Sequence, residues 1–160
     1  MRKVWAVWAV ALVLGVAATG LAGGGDKDKE KLQGKWVMTG VKFGGKDVDI
    51  PKDKGQVVIT FSGDKVTYQE GDKPAEEGTY KLDTSKKPKQ IDVTKKESKD
   101  GKGKDEMKGI YSLEGDTLKI GFAFQVKKDK EEPPAMRPSS FEGMDVIVMT
   151  FTRAKKGDKK

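Results

Sequence analysis

Apolar and polar residues alternate with a period of two along much of this chain. Val57, Ile59 and Phe61 alternate with Val58 and Thr60; Val66 and Tyr68 alternate with Thr67 and Gln69. Leu118, Ile120, Phe122 and Phe124 alternate with Thr117, Lys119, Gly121 and Ala123. Such alternation sets one face of a strand on a core and the other toward water. Turn chemistry separates the runs at Gly44-Gly45-Lys46, Ser62-Gly63-Asp64-Lys65, Glu70-Gly71-Asp72-Lys73 and Glu114-Gly115-Asp116-Thr117. Gly supplies positive φ and Asp bonds its own backbone, so these are hairpin turns. Strands are therefore expected at about 35–43, 56–61, 65–70, 77–82, 90–94, 107–113, 117–124 and 146–153. Eight strands joined mostly as hairpins predict an all-β chain, an up-and-down meander that closes into a barrel and so removes its edges.

Two stretches break this rhythm. Lys95 to Asp105 is a run of Lys, Asp, Glu, Gly and Ser, expected as a solvated loop. Gln125 to Ser140 contains Pro133, Pro134 and Pro138, which exclude regular pairing, and ends in Met136-Arg137-Pro138 beside Phe141. Long loops of this kind in compact domains are often either functional lids or disordered.

The ends of the chain bear on compartment. Arg2 and Lys3 precede a stretch with no charge from Val4 until Asp26, strongly apolar to Ala18 and then small, with Gly20-Leu21-Ala22 fitting a cleavage site. Residues 1–22 are thus expected to be a signal peptide, and the protein to be secreted or periplasmic. The alternative is an uncleaved anchor, because the run is nearly long enough to cross ~30 Å of hydrocarbon. Its Gly-rich last third favours cleavage, after which no membrane attachment is expected. No Cys follows, which excludes a lipid-anchored lipoprotein. Residues 23–31 are expected to be a flexible charged leader, 32–153 the barrel and 154–160 a basic tail, with a short helix allowed only within Asp26 to Gln33.

Composition narrows the chemistry. The net charge is +7, yet Arg2, Arg137 and Arg153 are the only arginines and the lysines are dispersed among Asp and Glu. That argues against nucleic-acid binding, which favours clustered Arg with interleaved aromatics. Diffuse positive charge is compatible with an encounter with anionic envelope polymers. The chain has neither His nor Cys, which removes imidazole bases, Cys–His and Ser–His nucleophiles and the common transition-metal sites. Asp26 with Asp28, and Asp47 with Asp49, have the spacing that starts a calcium loop but lack its continuation, so solvated turns are expected. No enzyme, cofactor or metal site is expected.

Trp36, Tyr68, Tyr80, Tyr111, Phe122 and Phe151 all fall in expected strands and could line one cavity, although an aromatic in a strand is more often core. An eight-stranded barrel is either filled by side chains or holds one small ligand. The candidate ligand contacts are Tyr68, Tyr80, Tyr111 and Phe122, gated by Met136 and Arg137.

Several segments carry a resemblance. Leu32-Gln33-Gly34-Lys35-Trp36, Gly78-Thr79-Tyr80-Lys81-Leu82-Asp83, Ser85-Lys86-Lys87-Pro88-Lys89 running into Ile91-Asp92, Gly109-Ile110-Tyr111 and Arg137-Pro138 before Phe141 form one set. Over about residues 30–153 the chain resembles an uncharacterised domain family abundant in exported proteins of planctomycete bacteria. The resemblance implies a lipocalin-like fold and no activity. Gly34-x-Trp36 in the first strand and Arg153 in the last are shared with lipocalins more broadly, where the arginine lies across the tryptophan and closes the barrel's end. The function expected is a monomeric binding or interaction module, taking a small apolar molecule in the barrel or, if the barrel is filled, acting as a structural or protease-inhibitor-like partner of another protein.

Overall fold

The structure, a computed structural model, describes residues 24–50, 55–96, 106–124 and 136–155. The expected signal segment, the charged run from Glu97, most of the Pro-containing loop and the tail from residue 156 lie outside the described residues. Among the described residues one helix, α1 (Gly24–Leu32), precedes nine strands. These are β1 (Gly34–Phe43), β2 (Lys46–Val48), β3 (Val57–Ser62), β4 (Lys65–Glu70), β5 (Glu76–Asp83), β6 (Lys89–Lys95), β7 (Glu106–Glu114), β8 (Thr117–Ala123) and β9 (Val146–Arg153). Eight of them match the strands expected from alternation. The ninth, β2, is a three-residue rung carried by the Gly44-Gly45 turn, whose φ angles of 56° and 78° suit glycine.

Every ladder is antiparallel, and the order runs β2-β1-β3-β4-β5-β6-β7-β8-β9 with β9 returning to β1. The chain is therefore all-β and closes as an eight-stranded up-and-down barrel, β2 lying outside the ring. Closure rests on β1. Its first half pairs with β3, from Gly34↔Phe61 to Val37↔Val58, and its second half with β2, from Val41↔Val48 to Phe43↔Lys46. Along its length it also pairs with β9, with a register shift between Met38 and Gly40. Such a bulge bends the strand, which lets it leave one neighbour for another.

The alternation in sequence becomes the inside and outside of the barrel. Ile59, Phe61, Val66, Tyr80, Ile91, Tyr111, Leu118, Ile120 and Phe151 are buried in one interior cluster with Trp36 and Leu32. A second, smaller apolar group lies on the outer wall. A methyl group placed on Gly121 would meet Ile110 and Phe141 side chains at 3.2 Å, and Ile110, Val146 and Val148 are all buried.

The leader departs from expectation. Residues 24–32 are helical, and α1 docks on the barrel. Asp28 and Leu32, four residues apart and so on one helix face, are 8% and 0% exposed. Composition alone argues against order in so charged a segment; tertiary contacts supply it. Burying Leu32 contributes about 1.5–3 kcal/mol, and the burial of Asp28 also replaces the solvated turn expected of Asp26 and Asp28.

Candidate functional site

One end of the barrel is plugged, and among the described residues a cavity lies toward the other. At the plugged end, α1 runs into β1 through Gln33 and Gly34, the latter at φ 108°, outside the range that most residues adopt. Trp36 is fully buried there and donates its indole N–H to the Leu32 carbonyl at 2.8 Å. Arg153 arrives from β9 in register with Trp36. Its Cζ lies 4.2 Å from the Trp36 ring centre. Its nitrogens donate to the Gln33 carbonyl at 2.9 Å, to the Lys31 carbonyl at 2.5 Å and to Asp116 Oδ1 at 2.9 Å. The guanidinium thus satisfies carbonyls at a helix C-terminus, where a cation is also favoured by the helix dipole. The closure expected of Gly34, Trp36 and Arg153 is present.

Three further ties hold the plug. Asp28 Oδ2 accepts hydrogen bonds from Lys89 Nζ and from the Tyr111 hydroxyl, each at 2.7 Å. Burial acts to raise the Asp28 pKa, but the bonds from Lys89 and Tyr111 and the positive charge of Lys89 and Lys31 outweigh it, so the carboxyl sits below its ordinary value. Burial and the hydrogen bond to Asp28 push the Tyr111 phenol well up, which keeps it a donor. Gln33 links α1 to the β3–β4 turn: its Oε1 accepts from the Gly63 N–H at 2.7 Å, and its Nε2 reaches the Tyr80 hydroxyl at 3.0 Å. Tyr80 in turn donates to the Gly63 carbonyl at 3.0 Å and packs edge-on against Phe61. Lys29 pairs with Asp64 on the same turn.

Tyr80 and Tyr111 therefore do not line the barrel's cavity. Both are inward-facing, as expected, but their hydroxyls are used at the plugged end, below the cavity they were expected to line. The sequence reading also passed over Asp28, Gln33 and Lys89 as plug residues. Gln33 and Lys89 stood within the motifs that carried the resemblance, and only the helix brings Asp28 to them.

Above this filled half lies a cavity of about 390 Å³. Its lining includes the buried Phe61, Phe151, Ile91 and Ile120 and the partly buried Phe122 and Met149. Tyr68 and Phe122 are the two aromatic candidates that line it. Tyr68 faces Glu76 on the last rung of the β4–β5 ladder, and its hydroxyl forms no hydrogen bond among the described residues. Burial, then Glu70 and Glu76, raise the Tyr68 phenol above its ordinary value, with Lys73 opposing. Beside it Lys95 Nζ and Glu76 Oε2 pair at 3.1 Å. Two glycines shape the wall. A Cβ on Gly78 would lie 2.6 Å from the Thr94 carbonyl oxygen, and one on Gly109 would lie 2.7 Å from Phe122 Cε1. Gly109 thus makes room for the ring that borders the cavity.

Met136 and Arg137 do not line this cavity. Arg137 bonds the Gly109 carbonyl at 2.6 Å and Asp92 Oδ1 at 2.5 Å. Asp92 lies between the inward-facing Ile91 and Val93, so the bond fastens the segment to the outer wall of β6 and β7. Pro138 is buried in the same segment and Met136 is 57% exposed. The expected lid at residues 125–135 lies outside the described residues.

The described residues contain no group of three or more carboxylates placed to hold a metal ion, and no helix long and apolar enough to cross a membrane. Compared with known proteins, the chain matches no family model, no curated protein and no solved structure.

Proposed function

We propose that this protein is an exported binding module that holds a small apolar molecule in the half of its barrel beyond the plug. The observation that carries this reading is the apolar cavity of about 390 Å³, which falls in the ~300–1,000 Å³ range of small-molecule sites. Apolar walls with a few polar groups at one side are the usual construction of such sites. Export rests on the sequence of residues 1–22, and relationship to the planctomycete exported family on the quoted motifs. The absence of His and Cys from the chain supports a non-catalytic role. The alternative of a filled barrel working through its surface draws less support, because among the described residues the half beyond the plug holds a cavity.

The test is uptake of the apolar fluorophore N-phenylnaphthylamine by the purified chain. Its emission is expected to rise on binding, and Val93→Phe, which adds a ring to the cavity wall, is expected to abolish the rise while thermal unfolding stays cooperative. No rise with the unaltered chain would refute the reading.

A further inference from the structure

The polar groups at the cavity define what kind of head group an apolar ligand carries. This step rests on the binding function proposed above. Three observations bear on it. First, the charges beside Tyr68 are already matched: Glu76 pairs with Lys95 at 3.1 Å, and Glu70 with Lys73 at 3.0 Å. Second, Tyr68 lines the cavity together with Glu76 and Lys95, and its hydroxyl has no hydrogen-bond partner among the described residues. Third, the buried part of the lining is apolar: Phe61, Phe151, Ile91 and Ile120 carry no polar side-chain atom.

From these we infer that the cavity selects apolar molecules with an uncharged hydrogen-bonding head, an alcohol or primary amide, over carboxylates and ammonium ions of the same chain length. A hydroxyl both donates and accepts, so it satisfies Tyr68 without disturbing either ion pair. A carboxylate at the same place finds both lysines already engaged, Lys95 by Glu76 and Lys73 by Glu70. To reach Lys95 it has to displace Glu76. An ammonium meets the mirror problem, because Glu70 and Glu76 are already paired with lysines that it would have to displace. Either ion also sheds water on entering an apolar wall, a cost that the neutral head avoids.

The experiment displaces N-phenylnaphthylamine from the purified full chain at neutral pH with decanol, decanoate and decylammonium, each below its micelle concentration. Decanol is expected to bind at least about tenfold more tightly than either ion. Tyr68→Phe is expected to weaken decanol by roughly three- to tenfold and leave decanoate unchanged. If decanoate or decylammonium competes as well as decanol, or if Tyr68→Phe weakens all three alike, the head-group inference is overturned while the binding function stands. If the fluorophore itself is not taken up, both fall.

Discussion

The Arg153 guanidinium lies over the Trp36 indole, 4.2 Å from its ring centre, while two of its nitrogens hold the Lys31 and Gln33 carbonyls. One side chain from the last strand therefore fixes the first strand and the helix before it. An indole face attracts a guanidinium by ~0.5–2 kcal/mol, and the contact is partly desolvated, since the Arg153 side chain is about one-third exposed. Arg153→Ala and Trp36→Ala are each expected to lower stability by roughly 1–4 kcal/mol, with a coupling of ~0.5–2 kcal/mol in a double-mutant cycle. Arg153→Lys should restore little, because an ammonium has neither the planar face nor the fork that reaches two carbonyls. Urea unfolding of the four variants of the cycle measures this; additivity within error would show the two residues to be independent.

Asp28 gives the plug a pH dependence. Its folded pKa lies below the ordinary value of 3.8, so its bonds to Lys89 and Tyr111 stabilise the fold above that value. The contribution is lost as pH falls through the folded pKa. Thermal unfolding temperature should therefore drop on acidification below about pH 4, to which other carboxylates also contribute. Asp28→Asn should lower the unfolding temperature at neutral pH and make the acid limb shallower. Equal acid limbs in the two proteins would show that Asp28 is not a source of the dependence.

The outline of the barrel was legible because alternation is a local signal. Val57 to Phe61 and Leu118 to Phe122 each announce their buried face without knowledge of partners, and the eight strands and their closure follow. The Trp36–Arg153 contact was legible for a related reason: in a closed meander the first and last strands run antiparallel, so their ends meet. What alternation leaves open is height along the barrel. Tyr68, Tyr80 and Tyr111 share an inward direction, but Tyr68 belongs to the cavity and the other two to the plug. Their fates depend on α1, whose charged sequence hides a helix fixed by just Asp28 and Leu32 among the buried residues. Arg137 was misassigned for a different reason. Its partners, Asp92 and the Gly109 carbonyl, are 45 and 28 residues away, and nothing local indicates which side of the wall the segment takes.

Glycines in the wall make a prediction by contrast. A Cβ on Gly78 lies 2.6 Å from the Thr94 carbonyl, a backbone atom that has little freedom to yield, whereas one on Gly40 meets Thr150 Cβ at an ordinary 3.8 Å. Gly78→Ala is expected to destabilise by about 1–3 kcal/mol, because strands β5 and β6 have to separate or shift. Gly40→Ala should stay within about 0.5 kcal/mol of the parent. Denaturation midpoints at constant m-value decide between them; equal midpoints would mean that the β5–β6 approach at Gly78 is looser than the structure has it.

The last prediction concerns the outer strap. Arg137 holds residues 136–141 against β6 and β7 through Asp92 and the Gly109 carbonyl, while Pro138 is buried and Phe141 packs beside Gly121. The Arg137 side chain is mostly buried, at 20% exposure, so truncating it leaves Asp92 without its partner and exposes apolar wall. Arg137→Ala is therefore expected to cost about 1–3 kcal/mol, and to open the segment to limited proteolysis before the barrel unfolds. Because the tie lies on the outside, uptake of N-phenylnaphthylamine by the folded variant should equal that of the parent. Asp92→Asn, which keeps a hydrogen-bond acceptor but removes the charge, should produce a smaller version of the same loss. A variant that folds normally yet takes up the probe faster or holds it less tightly would instead place Arg137 in control of the cavity mouth, and the separation drawn between outer strap and binding cavity would have to be abandoned.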